Sequence, residues 1–291
     1  MQHWATKARH RAIRGAEIVG GTLFLSLPVQ SLWQRLPRLT AKSTRVSSTQ
    51  SAVATTAMVA HVYYPELMPE LLACWQNIKT IEPAACLHIT TTDEQYEHLI
   101  RAVNDSSNVQ FHVGPNRGRD IAPFLSLLNE GTLDPYDVVL KIHTKRSPHL
   151  RAGDLRRRLL FSLLAGNPRQ TARIRELFRD PNVGMVGWRP AFRNSPKWWL
   201  ANEIRSREIA KKMVPPIRIA PGFFEGSMFW VRPAALTALR SLALQPEDFE
   251  PERGQLDGAL HHAIERLFAL SVWAAGYRVH AISGGVLHAG H

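Results

Sequence analysis

Between Met58 and Ile142, short β-forming runs alternate with helix-patterned ones, and this alternation limits the possible folds more than any other feature of the chain. The spacing predicts strands over 59–63, Cys86–Thr91, Val109–Val113 and 138–142, with helices over 66–78, 93–103 and 120–128 between them. Strands separated by single helices pair in parallel through right-handed crossovers. The pattern continues more loosely: helices at 156–164 and 171–178, strands at Val183–Gly187 and 223–231, a helix at 234–242, a long helix at 257–275 and a closing strand at 277–282. The expectation is one α/β domain over 57–291, with a Rossmann-type, mostly parallel sheet flanked by helices.

The 291 residues carry a formal net charge of +12, and the excess is unevenly placed. Residues 1–50 hold Lys7, Arg9, Arg11, Arg14, Arg35, Arg38, Lys42 and Arg45 against Glu17 alone. The folded body is therefore only mildly basic and has no recognisable nucleic-acid reading motif, so nucleic acid is not an expected partner. The uncharged run 18–34 falls short of the roughly 20 apolar residues that span a bilayer. Residues 1–39 thus form a basic, apolar extension expected to touch the inner face of the cell membrane peripherally. The alternative is a helix packed on the domain. Residues 40–56, small and polar, are expected to be a linker. Cys74 and Cys86 offer neither a disulfide framework nor zinc spacing, and are expected to be reduced residues of a cytoplasmic protein.

Chemistry gathers at the predicted strand ends, the edge at which open α/β sheets bind ligands. His61 and Tyr63 close the first strand and Asp93 follows the second; an aromatic there can stack on a base and a carboxylate can bond ribose hydroxyls. Asn116-Arg117-Gly118-Arg119-Asp120 precedes a helix, where Asp120 can also serve as a cap. On the next strand Lys141, His143 and Lys145 share one face. In a buried strand, unpaired lysines are costly, so this edge is expected to hold an anion such as a diphosphate. On the long helix predicted for 257–275, Asp257, His261 and Glu265 form one stripe beside His262 and Arg266. A carboxylate steadied there by Arg266 or His262 could act as a general base.

Asn-Arg-Gly-Arg-Asp-Ile-Ala-Pro-Phe (116–124), Tyr-Asp-x-x-x-Lys-x-His-Thr-Lys-x-Ser (136–147), Phe-Phe-Glu-Gly-Ser-Met-Phe-Trp-Val-Arg (223–232) and His-Ala-Ile-Glu-Arg-Leu-Phe (262–268) together resemble the rhamnan synthesis protein F family. The likeness covers 57–291. It implies a GT-A-like nucleotide-sugar fold and an inverting glycosyltransferase that builds rhamnose-containing cell-surface polysaccharide. It further implies a dTDP-rhamnose type of donor and a glycan or lipid-linked glycan acceptor. Where that fold usually ends a strand in a metal-binding Asp-x-Asp, this chain has Lys141-x-His143-x-Lys145. The resemblance therefore implies a diphosphate held by Lys141, His143, Lys145, Arg117 and Arg119, with no cofactor and no metal needed. A nucleotide site of His61, Tyr63, Asp93, Asn116 and Asp120 would lie beside it. Glu265 stands eleven residues before Gly276-Tyr277-Arg278, the spacing of the acceptor-activating base, with Asp257 as second candidate; Glu225, Trp230, His262 and Arg266 are expected near the acceptor. The missing Asp-x-Asp also suits a rival: a non-catalytic nucleotide-sugar or glycan-binding member of a polysaccharide-synthesis complex.

Overall fold

The computed structural model describes residues 56–92, Leu99, 108–144 and 153–290, all within the unit Val53–His291. The expectations for 1–39, for the linker up to residue 55, for Asp93 and Lys145, and for the 93–103 helix apart from Leu99 lie outside the described residues. Strands β1 (Thr56–His61), β2 (Cys86–Thr91), β3 (Val109–Val113) and β4 (Val138–His143) pair in parallel in the spatial order β3-β2-β1-β4. Helices α1 (Met68–Ile81) and α2 (Ile121–Asn129) belong to their crossovers. Next come α3 (Gly153–Ala165), α4 (Pro168–Leu177), β5 (Val183–Gly187), β6 (Phe192–Arg193) and α5 (Glu203–Lys212). The chain continues through β7 (Phe223–Phe224), β8 (Phe229–Val231), α6 (Thr237–Arg240), α7 (Leu260–Glu265), α8 (Phe268–Ala274), β9 (Arg278–Ala281) and β10 (Val286–Leu287).

The result is an α/β fold with an eight-stranded, mostly parallel sheet in the order β10-β9-β5-β8-β4-β1-β2-β3. The expected fold class is therefore present. Strand alternation sends Ala57, Val59 and Val139 toward α2 and α8, and Met58, Ala60, Val138, Leu140 and Ile142 toward α1 and α3. Each face thus has its own apolar core, and the sheet is covered on both sides. Local signals hold where they are strong: Asn167 caps α4 by accepting from Gln170 N–H at 2.8 Å, and Pro168 opens the helix.

Two expected elements are broken. The strand expected over 223–231 is two short ones: β7 pairs with β6, and β8 inserts antiparallel between β4 and β5. Between them Gly226 and Ser227 turn the chain at φ of 91° and 55°, and only glycine takes such values freely. The long helix expected over 257–275 is α7 and α8, and Asp257 lies in the loop before them. Gly258 at φ 80° keeps Asp257 out of the helix. The 257–261–265 stripe therefore does not exist as helix spacing. Both thiols are free, and burial pushes Cys74 up to about 12, with nearby Glu70 adding to it. Among the described residues no helix is long and apolar enough to cross a membrane.

Candidate functional site

The parallel registers align His143, His61, Thr90 and His112 in one row across β4, β1, β2 and β3, at the C-terminal edge of the sheet. All four point to the α2 side, because paired residues of neighbouring strands share a face. One step below, Lys141 is 1 % exposed, so its ammonium must find partners inside the protein. It donates to Asp120 Oδ2, to Ser227 O at 3.0 Å and to Ser227 Oγ at 3.0 Å. Three N–H donors meet three acceptors. The rings of Phe124, Phe229 and Phe268 surround the same ammonium at 5.5–5.9 Å and add cation–π attraction. The lysine is not waiting for an anion. Its charge is compensated by Asp120, and this corrects the expectation that it faces a diphosphate.

Asp120 stands at the N-cap position of α2, but its side chain accepts no capping bond from the helix. Burial alone would raise its pKa, but His143, Lys141 and His61 outweigh burial and hold it well below the usual carboxylate range. His143 Nδ1 lies 3.4 Å from the same Oδ2. His61 Nδ1 bonds Thr90 Oγ1 at 3.0 Å. The outcome is an ionised carboxylate, partly open to solvent, in a frame of imidazoles.

Arg117 and Arg119 find hydrogen-bond partners in the 245–255 loop. Arg117 donates to the carbonyls of Phe249 (3.0 Å) and Glu247 (3.3 Å). Arg119 makes a two-pronged pair with Glu252 at 2.8 and 3.1 Å and donates to Gln255 O at 2.7 Å. Both guanidinium groups thus have partners within the fold, with which a diphosphate would have to compete. Asn116 is exposed at the loop tip. Tyr63 stays half-buried, stacked edge-on against Tyr64, and the backbone N–H groups of both donate to Thr144 Oγ1 at 3.0 and 3.1 Å.

The turn at Gly226–Ser227 joins the buried lysine to the second half of the site. On one side Ser227 holds Lys141; on the other, Gly226 N–H donates to Glu265 Oε1 at 2.8 Å. Arg266 sits between carboxylates: its Nη1 is 3.4 Å from Glu265 Oε2 and its Nη2 is 3.8 Å from Asp257 Oδ1. It also donates to His262 O and Trp198 O and stacks over Phe223. Asp257 is spent on structure. Its Oδ2 accepts from Ala201 N–H at 2.9 Å and its Oδ1 from Asn202 Nδ2 at 2.5 Å. Burial works to raise its pKa, but these bonds with Arg266 and His262 lower it. Glu225 is clamped by Arg193 (2.7 Å) and Arg156 (3.0 Å). Trp230 faces the opposite core: it is fully buried and donates to Leu164 O at 3.0 Å, so its expected place beside an acceptor is corrected. The structure thus brings Asp120, Lys141, His143, His61 and, through one turn, Glu265 and Arg266 together.

Sequence reasoning missed Ser227, Glu252, Thr90 and His112. His261, named there as part of a stripe, is 4 % exposed with neither ring nitrogen hydrogen-bonded among the described residues. A second depression of about 280 Å³ lies at the ends of β2 and β3, bounded by Thr91, His112, Pro115, Pro123, Glu130 and Pro246. His112 Nε2 is 3.0 Å from His88 Nδ1, whose Nε2 is 2.9 Å from Tyr136 OH, so a buried imidazole chain backs this hollow.

Burial lowers His61, His88 and His261 from 6.5 to about 4; Lys141, His112 and Arg119 respectively add to the shift, while Asp120 opposes it at His61 and His261. Between those values the unfolded chain binds protons that the folded one refuses. Stability is therefore complete above about pH 6.5 and declines as pH falls toward 4, by about 1.4 kcal/mol per pH unit for each such histidine. Urea unfolding at pH 7, 6 and 5 measures this. A flat midpoint over that range would mean these imidazoles are not neutral in the fold.

A family model described as rhamnan synthesis protein F matches residues 31–277. Two curated proteins of Xanthomonas campestris pv. campestris, both named uncharacterized protein WxcX, are similar to this chain. That of strain B100 is 31 % identical, and that of strain ATCC 33913 is 30 % identical, each over 250 residues. The match covers 84 % of this chain and 34 % of each relative, so the chain spans about a third of their length.

Proposed function

The chain belongs to the rhamnan synthesis protein F family, which implies a role in polysaccharide synthesis, and from that premise we propose that it is an inverting glycosyltransferase. The donor is a nucleotide sugar, with rhamnose the sugar the family points to, and the acceptor is a growing cell-surface glycan. One observation carries the reading: an ionised Asp120 and a half-buried Glu265 flank a single turn, Gly226–Ser227, at the ligand-binding edge of the sheet.

In the proposed reaction Glu265 takes the proton of an acceptor hydroxyl. The hydroxyl oxygen bonds to the anomeric carbon as the bond from that carbon to the diphosphate breaks, so the configuration inverts in one displacement. Asp120 accepts hydroxyl hydrogens of the donor, and the hollow beside His112 and Glu130 suits its base. With Lys141, Arg117 and Arg119 already paired in the fold, the cation proposed for the leaving diphosphate is Lys145, which follows β4 in the sequence. Its role is electrostatic stabilisation of developing charge.

Those same commitments favour a second reading, a non-catalytic nucleotide-sugar or glycan-binding partner in a synthesis complex, because they leave few cations for a leaving group. Release of nucleoside diphosphate separates the two. Incubated with dTDP-rhamnose and a rhamnan acceptor, a transferase is expected to release dTDP in proportion to sugar incorporated. Donor binding without any release across a nucleotide-sugar panel would leave the binding partner as the function.

A further inference from the structure

A cavity of about 540 Å³ lies between the Pro196–Asn202 segment, the start of α5, residues 216–221, α8 and residues 288–290. Its size falls within the range of small-molecule sites, about 300–1,000 Å³. Its walls pair two indoles, Trp199 and Trp273, with the charged groups of Glu203, Arg207 and Arg218 and with His288. We propose that this groove binds a short oligosaccharide.

The lining chemistry selects the ligand. An indole offers a flat apolar face with a polar edge, which matches the C–H face of a pyranose ring. Glu203 and Arg207, 2.8 Å apart and about half exposed, can together accept from and donate to ring hydroxyls. Arg218 is exposed, with no ion-pair or hydrogen-bond partner among the described residues. A purely apolar occupant would strip water from these three charged groups and give nothing back, which is costly. A saccharide supplies both the apolar faces and the hydroxyls.

Both indoles are held in place before any ligand arrives. Trp199 is buried, 4 % exposed, and forms the floor of the groove, with its carbonyl accepting from the buried Asn202 at 3.1 Å, so the half-buried Trp273 is the indole whose face a pyranose ring can reach. Trp273 meets Phe192 edge-on at 6.4 Å. Between Trp199 and Ala201, Leu200 stands at φ 53° and ψ −128°, a strained conformation for a residue with a side chain. Such strain persists where the surroundings enforce it and gathers at functional sites. Here it lets one short segment serve two places. Trp199 faces the groove, while Trp198 O holds Arg266 and Ala201 N–H holds Asp257. A glycan in the groove would therefore lie along the segment that steadies the arginine beside Glu265.

The test is binding on the full chain without any nucleotide sugar, so its outcome is separate from whether the protein transfers sugar. Rhamnobiose and cellobiose are titrated while tryptophan fluorescence and saturation-transfer NMR are followed. Saturable binding of at least one disaccharide is expected. Arg218→Ala and Glu203→Gln, at exposed positions that leave folding intact, are each expected to weaken it about tenfold. Trp273→Phe is expected to remove most of the fluorescence response with little change in melting temperature. No saturable binding of either disaccharide, or binding that survives both surface substitutions unchanged, overturns the proposal. Preferential binding of an alkyl chain, probed with octanol, overturns it as well.

Discussion

Replacing Glu265 with Gln is expected to lower sugar transfer by about a hundred- to ten-thousand-fold, the usual loss for a general base. The substitution is unusually clean because the two functions of this side chain separate. A Gln amide oxygen can still accept from Gly226 N–H, as Glu265 Oε1 does at 2.8 Å, so the turn that carries Ser227 keeps its shape. What disappears is the capacity to take a proton. Arg266 keeps Asp257 and the carbonyls of His262 and Trp198 as partners, so it is not stranded. Donor affinity and melting temperature should stay close to wild type while turnover collapses. Measured turnover within a few-fold of wild type would remove Glu265 as the base. A dead Asp257→Asn beside an active Glu265→Gln would move the role to Asp257, although the bonds of Asp257 to Ala201 and Asn202 argue for a structural part.

The second large effect is on stability. Lys141→Met leaves the mostly buried Asp120 carboxylate without the ammonium that bonds it, and Asp120→Asn leaves a buried ammonium facing a neutral amide. Breaking a buried pair from one side costs about 3–5 kcal/mol, whereas replacing both partners can come near to neutral. Each single variant is therefore expected to lose several kcal/mol in urea unfolding, and the double variant should be more stable than either single. Losses that simply add would show that the two groups are not coupled, and would sink the account of Lys141 as a satisfied core lysine.

Much of the fold was legible because local signals sufficed. Strands Cys86–Thr91, Val109–Val113 and Val183–Gly187 start and stop where turn-forming residues bracket β-branched and apolar runs. Hydrophobic periodicity failed where the backbone leaves the ordinary regions of φ and ψ. A left-handed Gly258 separates Asp257 from α7, and the Gly226–Ser227 turn splits an apparent nine-residue strand. Glu225-Gly226-Ser227 does interrupt the apolar run, and Gly258 directly follows Asp257, so the local turn signal was there but was outweighed by the apolar residues on either side. At the candidate site the sequence shows which polar side chains gather but not how they are wired. The sequence points to Lys141, Asp120 and Glu265, which the fold places around one turn, but the partners of Arg117 and Arg119 lie about 130 residues away in the chain. Only tertiary structure can show that a cation is already spent. The reading of Lys141 as unpaired rested on the right physics, that a buried charge demands a counter-ion, and on the wrong counter-ion.

The antiparallel strand β8 has a consequence for how the protein is made. It inserts between β4 and β5, and Ser227 reaches Lys141 across 86 residues of intervening chain. During synthesis at about 5–20 residues per second, on the order of ten seconds pass between the two, and for that time the edge of β4 has no partner. An open edge of apolar residues recruits other strands. A nascent chain stalled before residue 227 would therefore present a sticky half-sheet, with the lysine's hydroxyl and carbonyl acceptors not yet translated. The last stitch of this sheet and the assembly of its chemistry are one event on the ribosome's clock.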